Sequence, residues 1–306
     1  MSSKCTKCNQ RSVIFQKYSG MRLCRKHFIE DVERKIKLTI RKEANIAKND
    51  TIAVALSGGK DSSVLLYVLH KTLKERPDIR IVAITVDEGI EGYRSHTVQS
   101  AAILAQNMGI EHIVVSFEQE FGKSLDELIS GERVQGACTY CGVLRKSLLN
   151  RIARNIGATK LATGHNLDDE AQTIFLNHIR GDVERLVRLA PTRELDGLIL
   201  RSKPLRKIPE KEVALYAFLN DLPVDYSECP YAGEAMRGEV RDVLNDLEVN
   251  HPGTKYSILS GFDKMVQILA KEYTQTNMSG CQICGEPCNS NTCQACKILG
   301  RNIIEY

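Results

Sequence analysis

Through the middle of the chain, short apolar runs alternate with amphipathic stretches. "TIAVALS" (51–57) is one such run, followed by a Gly-rich turn and by "SSVLLYVLHKTLKE", whose apolar residues recur at helical spacing. "RIVAITVD" (80–87) predicts a second buried strand, "SHTVQSAAILAQNMG" a helix closed by Gly109, and "EHIVVSF" a third strand. The helix "GVLRKSLLNRIARNIG" precedes a strand in "TKLATGH" (159–165), and "DDEAQTIFLNHIRG" supplies the next helix. Strands separated by helices of this length predict an α/β fold with a doubly wound parallel sheet, whose ligands bind beyond the carboxyl ends of the strands. The loops after residues 56, 86 and 163 are therefore where chemistry is expected. From about 208 the pattern turns helical ("PEKEVALYAFLNDL", "EAMRGEVRDVLNDLEVN", "KYSILSGFDKMVQILAKEY"), as an extension of the core rather than an independent domain.

Composition narrows the class. A 42% hydrophobic and 26% charged chain is ordinary for a soluble globular protein, and no run approaches the roughly 18 apolar residues of a membrane span. "MSSKCTKCNQRSV" lacks the apolar core of a secretory signal, so an intracellular, cytoplasmic protein without membrane attachment is expected. In a reducing compartment, 11 cysteines favour metal binding or catalysis over a disulfide framework. Charge is uneven: residues 1–42 hold 12 Lys/Arg against three acids, a local +9 in a chain of net +4, which points to a polyanion or to an amphipathic helix with a solvated face. Residues 178–207, with eight Lys/Arg and four acids, are a second candidate for nucleic-acid contact or a mixed surface.

"LSGGKDS" (56–62) lies between a predicted strand and a predicted helix. Gly58 and Gly59 let the backbone turn tightly against a ligand, and the helix N-terminus offers free N–H groups to an anion. Lys60 adds a point charge, Ser57 and Ser62 add hydroxyls, and Asp61 can hold Mg²⁺ or orient water. The spacing of a γ-phosphate-hydrolysing P-loop is absent. The segment resembles the PP-loop of the N-type ATP pyrophosphatases, a HUP-like fold, which cleave ATP between the α- and β-phosphates and adenylate a substrate oxygen. The resemblance implies ATP binding by Ala55, Leu56, Ser57, Gly58, Gly59, Lys60, Asp61 and Ser62. It extends to "ITVDEGI", where Thr85, Val86 and Asp87 would line adenine and ribose, and to "ATGHNLDDEAQT", with Gly164, His165 and Asn166 at a strand tip. Asp168 and Asp169 open the following helix, where acids also complement the dipole; beside a PP-loop they become candidates for Mg²⁺ or catalytic positioning.

The cysteines fall into sets. Cys5 and Cys8 with Cys24 and His27 have the pairing of a tetrahedral zinc site, and Cys281, Cys284, Cys293 and Cys296 form a second; both are closed, as structural zinc sites are. Cys288 is a spare thiol. Cys138-x-x-Cys141 has no local second pair, and Cys229 is the remaining partner. Three thiolates can hold three corners of a [4Fe-4S] cluster with one iron open, while a redox dithiol and buried inert cysteines are the alternatives.

With a four-ligand zinc site at each end, a PP-loop core and three interior cysteines, nearly the whole chain resembles the cytoplasmic tRNA 2-thiolation protein family. That resemblance implies Cys138, Cys141 and Cys229 as ligands of a [4Fe-4S] cluster whose open iron presents sulfide. It also implies an ATP-dependent sulfurtransferase acting on tRNA: the uridine C2 oxygen attacks the α-phosphate, pyrophosphate leaves, and sulfur replaces AMP. The catalytic set would be Lys60, Asp61, Asp169 and the three cysteines. Wobble U34 is the expected target, with U54 of the T-loop as the alternative; the role of Arg145 and Lys146, just after Cys141, stays open. Sulfide or a ubiquitin-like sulfur-carrier protein would donate sulfur, and a homodimer is expected. A PP-loop enzyme adenylating some other group, and a zinc-stabilised RNA-binding or redox-sensing module, are the competing classes. The expected organisation is a zinc finger at 1–30, a basic linker helix at 31–50, the PP-loop domain at 51–207, a helical extension with the third cluster cysteine at 208–275, and a second zinc finger at 276–306.

Overall fold

The computed structural model describes residues 4–44, 46–131, 135–190, 197–232, 236–272 and 278–301. An N-terminal hairpin of β1 (Ile14–Gln16) and β2 (Met21–Leu23) leads into α1 (Arg25–Thr39), which ends in a π-helical turn at Ile40–Ala44. The central sheet follows: β3 (Thr51–Ala55), α2 (Lys60–Leu73), β4 (Arg80–Asp87), α3 (Arg94–Asn107) and β5 (Glu111–Ser116). Short α4 (Phe117–Phe121) and α5 (Leu125–Ile129) precede the long α6 (Ala137–Asn155). After β6 (Lys160–Ala162) come α7 (Leu167–Ile179), α8 (Val183–Val187) and β7 (Leu200–Ser202). The extension comprises α9 (Glu210–Leu219), α10 (Arg237–Asn250) and α11 (Thr254–Glu272), and the C-terminal module comprises β8 (Ser279–Gly280), β9 (Pro287–Cys288) and α12 (Gln294–Ile298).

The five core strands are all parallel, in the order β5-β4-β3-β6-β7. Alternation along β3 sorts the two faces. Ile52 and Val54 pack with Val64, Leu65 and Leu69 of α2, while Ala53 joins Ile84, Leu161 and the α6 residues Leu144 and Leu148. Helices therefore cover both faces, and the sheet edges are reached only through β5 and β7.

Two segments add to their sequence reading. The helical residues expected at 31–50 also carry core: Val32, Ile36 and Ile40 are built into the same core as α2, because the apolar stripe of α1 is continuous with its turn. β7 emerges from the basic segment 178–207, where three residues amid charges carry no legible strand period. Within the same segment, residues 191–196 lie outside the described residues.

The extension is locked on by Arg206, a nearly fully buried guanidinium that meets Asp263 at 2.7 Å, Glu43 at 3.1 Å and Glu170 at 3.4 Å. Those carboxylates come from α11, the π-helical turn and α7, so one cation fastens three elements. Removing it leaves Asp263 without an ion-pair partner among the described residues, while Glu43 keeps Lys207 and Glu170 keeps Lys203; loss of one partner from a buried ion pair costs about 3–5 kcal/mol. Arg206→Ala should lower the urea midpoint by an amount in that range; an unchanged midpoint would show the network to be energetically idle.

Candidate functional site

The strand order reverses between β3 and β6, and the carboxyl ends of those strands carry the "SGGKDS" and "GHN" loops. In the first loop the Ser57 amide donates to Ser62 Oγ at 3.0 Å, the two hydroxyls are 3.0 Å apart, and Ser62 Oγ donates to the Gly59 carbonyl at 3.0 Å. Gly58 has φ +87°, and a Cβ there would overlap the Thr97 carbonyl, so α3 packs directly on the loop backbone. A Cβ on Gly164 would lie 2.9 Å from the Ser62 nitrogen. Asn166 then ties the loops, its Nδ2 donating to Asp61 Oδ1 at 2.9 Å while its Oδ1 accepts from the Asp169 amide at 3.0 Å.

A cavity of about 450 Å³ opens above this pair of loops. Of the residues singled out by sequence, Ala55, Leu56, Ser57, Asp61, Ser62, Val86, Gly164, His165 and Asp169 line it. Gly58, Gly59 and Lys60 build the loop beside it. Lys60 Nζ sits 3.0 Å from Asp61 and 2.8 Å from Glu210; burial works against its charge, but the two carboxylates outweigh burial and hold the ammonium above its ordinary range.

Three expected residues face elsewhere. Thr85, on the opposite side of the strand from Val86, donates to the Leu56 carbonyl at 2.7 Å and meets His112 Nε2 at 2.7 Å. Asp87 accepts the Gly89 amide at 2.9 Å. Asp168 binds Lys255 and, at 2.7 Å, the Glu210 amide, so it anchors the extension.

The cavity's polarity is divided. Desolvation raises Asp169, Arg237 at 3.1 Å opposes this, and Asp61 and Glu210 push it further, to about 6. Arg145, Lys146 and Arg201 also line the cavity. His165, hydrogen-bonded to Thr163 Oγ1 at 2.9 Å, is pushed down to about 3 by desolvation and then by Lys203, Arg237, Lys146 and Arg201, so its imidazole is neutral at pH 7.

Sequence reasoning missed Glu88 and Arg94, which also line the cavity. Glu88 is buried and contacts Arg94 Nε at 2.6 Å and Arg145 Nη1 at 3.1 Å. Its Oε1 is 4.0 Å from Cys141 Sγ. Cys138 and Cys141 occupy the first turn and a half of α6, three residues apart and hence on one face. Cys229 arrives from the extension, whose Asp225 amide donates to the Gly58 carbonyl at 3.1 Å. Burial, opposed by Arg145 and reinforced by Glu88, Cys229 and Cys138, pushes the Cys141 thiol up to about 11. Cys141 thus touches Glu88, a residue of the cavity lining, and Cys138 and Cys229 lie near enough to Cys141 to act on it electrostatically.

The terminal sets are tighter. Cys8 and Cys24 Sγ are 3.7 Å apart, and His27 Nδ1 is 3.4 Å from both Cys5 and Cys24 Sγ. Cys281 and Cys296 are 3.9 Å apart, Cys284 and Cys293 3.6 Å. A tetrahedral zinc with bonds near 2.3 Å spaces its sulfurs by about 3.8 Å. Burial raises the Cys5 and Cys281 thiols, but backbone N–H donors outweigh it and bring each down to about 6. Among the described residues only these two sets gather three or more such ligand atoms within 4.8 Å of one another. The interior three are spread more widely, which suits a multi-iron cluster better than a single ion. Cys288 is buried and engages the Ser290 carbonyl at 2.8 Å, apart from the second set. No helix among the described residues is long and apolar enough to cross a membrane.

Comparison with known proteins gives a consistent picture. A family model described as a PP-loop domain matches residues 29–242, and one described as the N-terminal LIM domain of the 2-thiouridine synthetase TtuA matches residues 4–29. The chain is 40% identical to the tRNA 2-thiolation protein NcsA of Haloferax volcanii, covering 97% of this chain and 98% of that one. It is 35% identical to the cytoplasmic tRNA 2-thiolation protein 1 of Aspergillus niger, covering 97% and 88%. Among solved structures, the U34-tRNA thiolase NcsA of Methanococcus maripaludis with its [4Fe-4S] cluster superposes with a TM-score of 0.86 at 38% identity, covering 100% of this chain and 98% of that one.

Two predictions follow from the loop geometry and the acid pair. Gly58→Ala should abolish ATP binding measured by calorimetry while the circular-dichroism spectrum of the fold is kept; retained affinity would mean that α3 can yield. In metal-free, nucleotide-free protein, a carboxyl raised in the fold favours folding below its unfolded value of about 4 and loses that contribution as pH rises through about 6. Asp169→Asn should therefore be more stable than the parent above pH 6, with the gap shrinking towards pH 4; a pH-independent difference in denaturation midpoint would refute the assignment.

Proposed function

The chain belongs to the tRNA 2-thiolation family of PP-loop proteins, and from that premise we propose that it is an ATP-dependent tRNA sulfurtransferase that makes 2-thiouridine at wobble U34 in the cytoplasm. The observation that carries the reading is that Glu88 and Arg145 of the PP-loop cavity adjoin Cys141, on which Cys138 and Cys229 act electrostatically.

The C2 oxygen of uracil is amide-like and a poor leaving group, so it must be activated. Its attack on the α-phosphorus forms the O–P bond and breaks the bond to the β-phosphate oxygen; pyrophosphate departs and N3 gives up its proton. Sulfide then adds at C2, the C–O bond breaks, AMP leaves, and N3 regains a proton. Ser57, Ser62 and the amides of the loop would hold the pyrophosphate portion, with Lys60 released from Glu210 onto phosphate. Asp61 and Asp169, whose like charges repel, would hold Mg²⁺. Neutral His165 can donate or accept a hydrogen bond beside the base without adding charge. Cys138, Cys141 and Cys229 would hold a [4Fe-4S] cluster, which would supply the sulfide, and the two terminal sets would hold structural zinc. The reacting uridine must leave its stack to enter the cavity, which single-stranded anticodon loops permit. Sulfide or a ubiquitin-like carrier protein would provide the sulfur, and the enzyme would act as a homodimer.

Deleting the gene should remove 2-thiouridine from tRNA nucleosides measured by mass spectrometry with the position mapped, and the wild-type chain should restore it. Cys229→Ala should not restore it, and the anaerobically prepared variant should lose cluster absorbance while retaining two zinc ions per chain. A deletion strain with every thiolated nucleoside intact would defeat the proposal, and loss at U54 instead of U34 would redirect it.

A further inference from the structure

Assigning the PP-loop cavity to ATP and the reacting base leaves two adjoining cavities without an occupant. One, of about 330 Å³, lies between α6 and the C-terminal module; the other, of about 340 Å³, runs along β7 towards Arg206. Lys146 lines both the first of these and the PP-loop cavity, and Arg201 lines all three. These two cations thus stand at a junction.

Most nearby charges are matched: Lys203 pairs with Glu170 at 2.6 Å, Arg154 with Glu286 at 2.5 Å and Arg237 with Asp169 at 3.1 Å. Among the described residues, the side chains of Lys146 and Arg201 have neither a hydrogen bond nor an ion pair. Desolvation and then Arg201, Arg145, Lys203 and Arg237 press the Lys146 ammonium below its ordinary range. Cations crowded together without counter-charge disfavour the ligand-free fold, and such local violations concentrate where a ligand supplies the missing charge.

The first cavity shares no residue with the phosphate loop. Val143, Leu198, Pro287 and Ala295 give it apolar walls, and Asn289 and Gln294 add amide groups. That mixture suits the face and edges of a nucleobase, whereas a bound triphosphate would stay over the loop amides. We propose that Lys146 and Arg201 hold the RNA backbone phosphate adjacent to the reacting uridine, and that the cavity walled by the C-terminal module receives the neighbouring nucleotide. This rests on the tRNA-thiolation reading and extends it to a second subsite.

Binding of an anticodon stem-loop RNA, followed across a salt series, tests the assignment. Lys146→Ala and Arg201→Ala should each weaken it about tenfold at low salt and reduce the logarithmic salt slope by roughly 0.7, while the ATP dissociation constant of the RNA-free protein changes by less than about twofold. With wild-type protein, a neutral methylphosphonate on one side of the target uridine should reproduce the loss, and combining it with the double variant should add little. An unchanged salt slope, a loss confined to ATP binding, or indifference to methylphosphonates on both sides would each overturn the proposal. Thiolation of the unmodified RNA by wild-type enzyme is measured in parallel: if it forms no 2-thiouridine, the catalytic reading fails irrespective of the binding results.

Discussion

A buried ion pair, Glu88 with Arg94, sets the register of the whole site. Arg94 also donates to the Ser57 carbonyl at 3.1 Å, the Val86 carbonyl at 2.5 Å and Thr97 Oγ1 at 2.7 Å, so a single guanidinium gathers the ends of β3 and β4 and the start of α3. An isolated buried charge would be intolerable; the carboxylate and the three further acceptors together make this one tenable. The second oxygen of Glu88 reaches Arg145 and lies against Cys141. The phosphate loop and the thiol site therefore cannot shift independently, because they share one side chain.

α6 turns this local register into a long-range one. Its first turns carry Cys138 and Cys141, while farther along it Leu148, Leu149 and Ala153 pack in the same cluster as Cys281, Cys293 and Cys296. Arg154 pairs with Glu286 at 2.5 Å, and a Cβ on Gly197 would come within 2.5 Å of Pro287, so the loop before β7 is seated on the C-terminal module as well. That module buttresses the helix bearing the cysteine pair. The N-terminal set does the corresponding job for α1, since Cys24 is its N-cap and Phe28, one turn on, enters the main core.

The parts of this architecture written in local pattern were legible in the sequence. Apolar period and length gave the strands and helices of the core, and ligand spacing gave the two terminal sets, because both signals lie within a few residues of each other. Pairings across the fold left no such trace. Glu88 and Arg94 sit in "DEGIEGYR", where a buried acid and a solvated one look alike. Asp168 and Asp169 read as equivalent, yet consecutive helical positions diverge by about 100°, sending one to Lys255 and the other to the cavity. Thr85 and Val86 part for the same kind of reason, the two-residue period of a strand. The basic N-terminal stretch also overstated its free charge: Lys35 and Arg34 are bound to Asp31 at 2.6 and 2.7 Å, so part of the local excess is spent inside the fold.

The cavity that results is unsatisfied in two opposite senses. On the side of the phosphate loop, Asp61 and Glu210 hold one lysine between them, and desolvation, with a smaller push from those two acids, raises Asp169. Elsewhere in the lining, Lys146 and Arg201 lack acids; desolvation and then Arg201 lower Lys146, and both cations add to the desolvation that lowers His165. A divalent cation relieves the first imbalance and a polyanion the second, and neither ligand can relieve both. Adenylation of an RNA base needs both at once: a metal beside the departing pyrophosphate and a fixed backbone beside the attacking oxygen. On the proposed function, this division of charge would let nucleotide and RNA share one cavity without competing for the same groups.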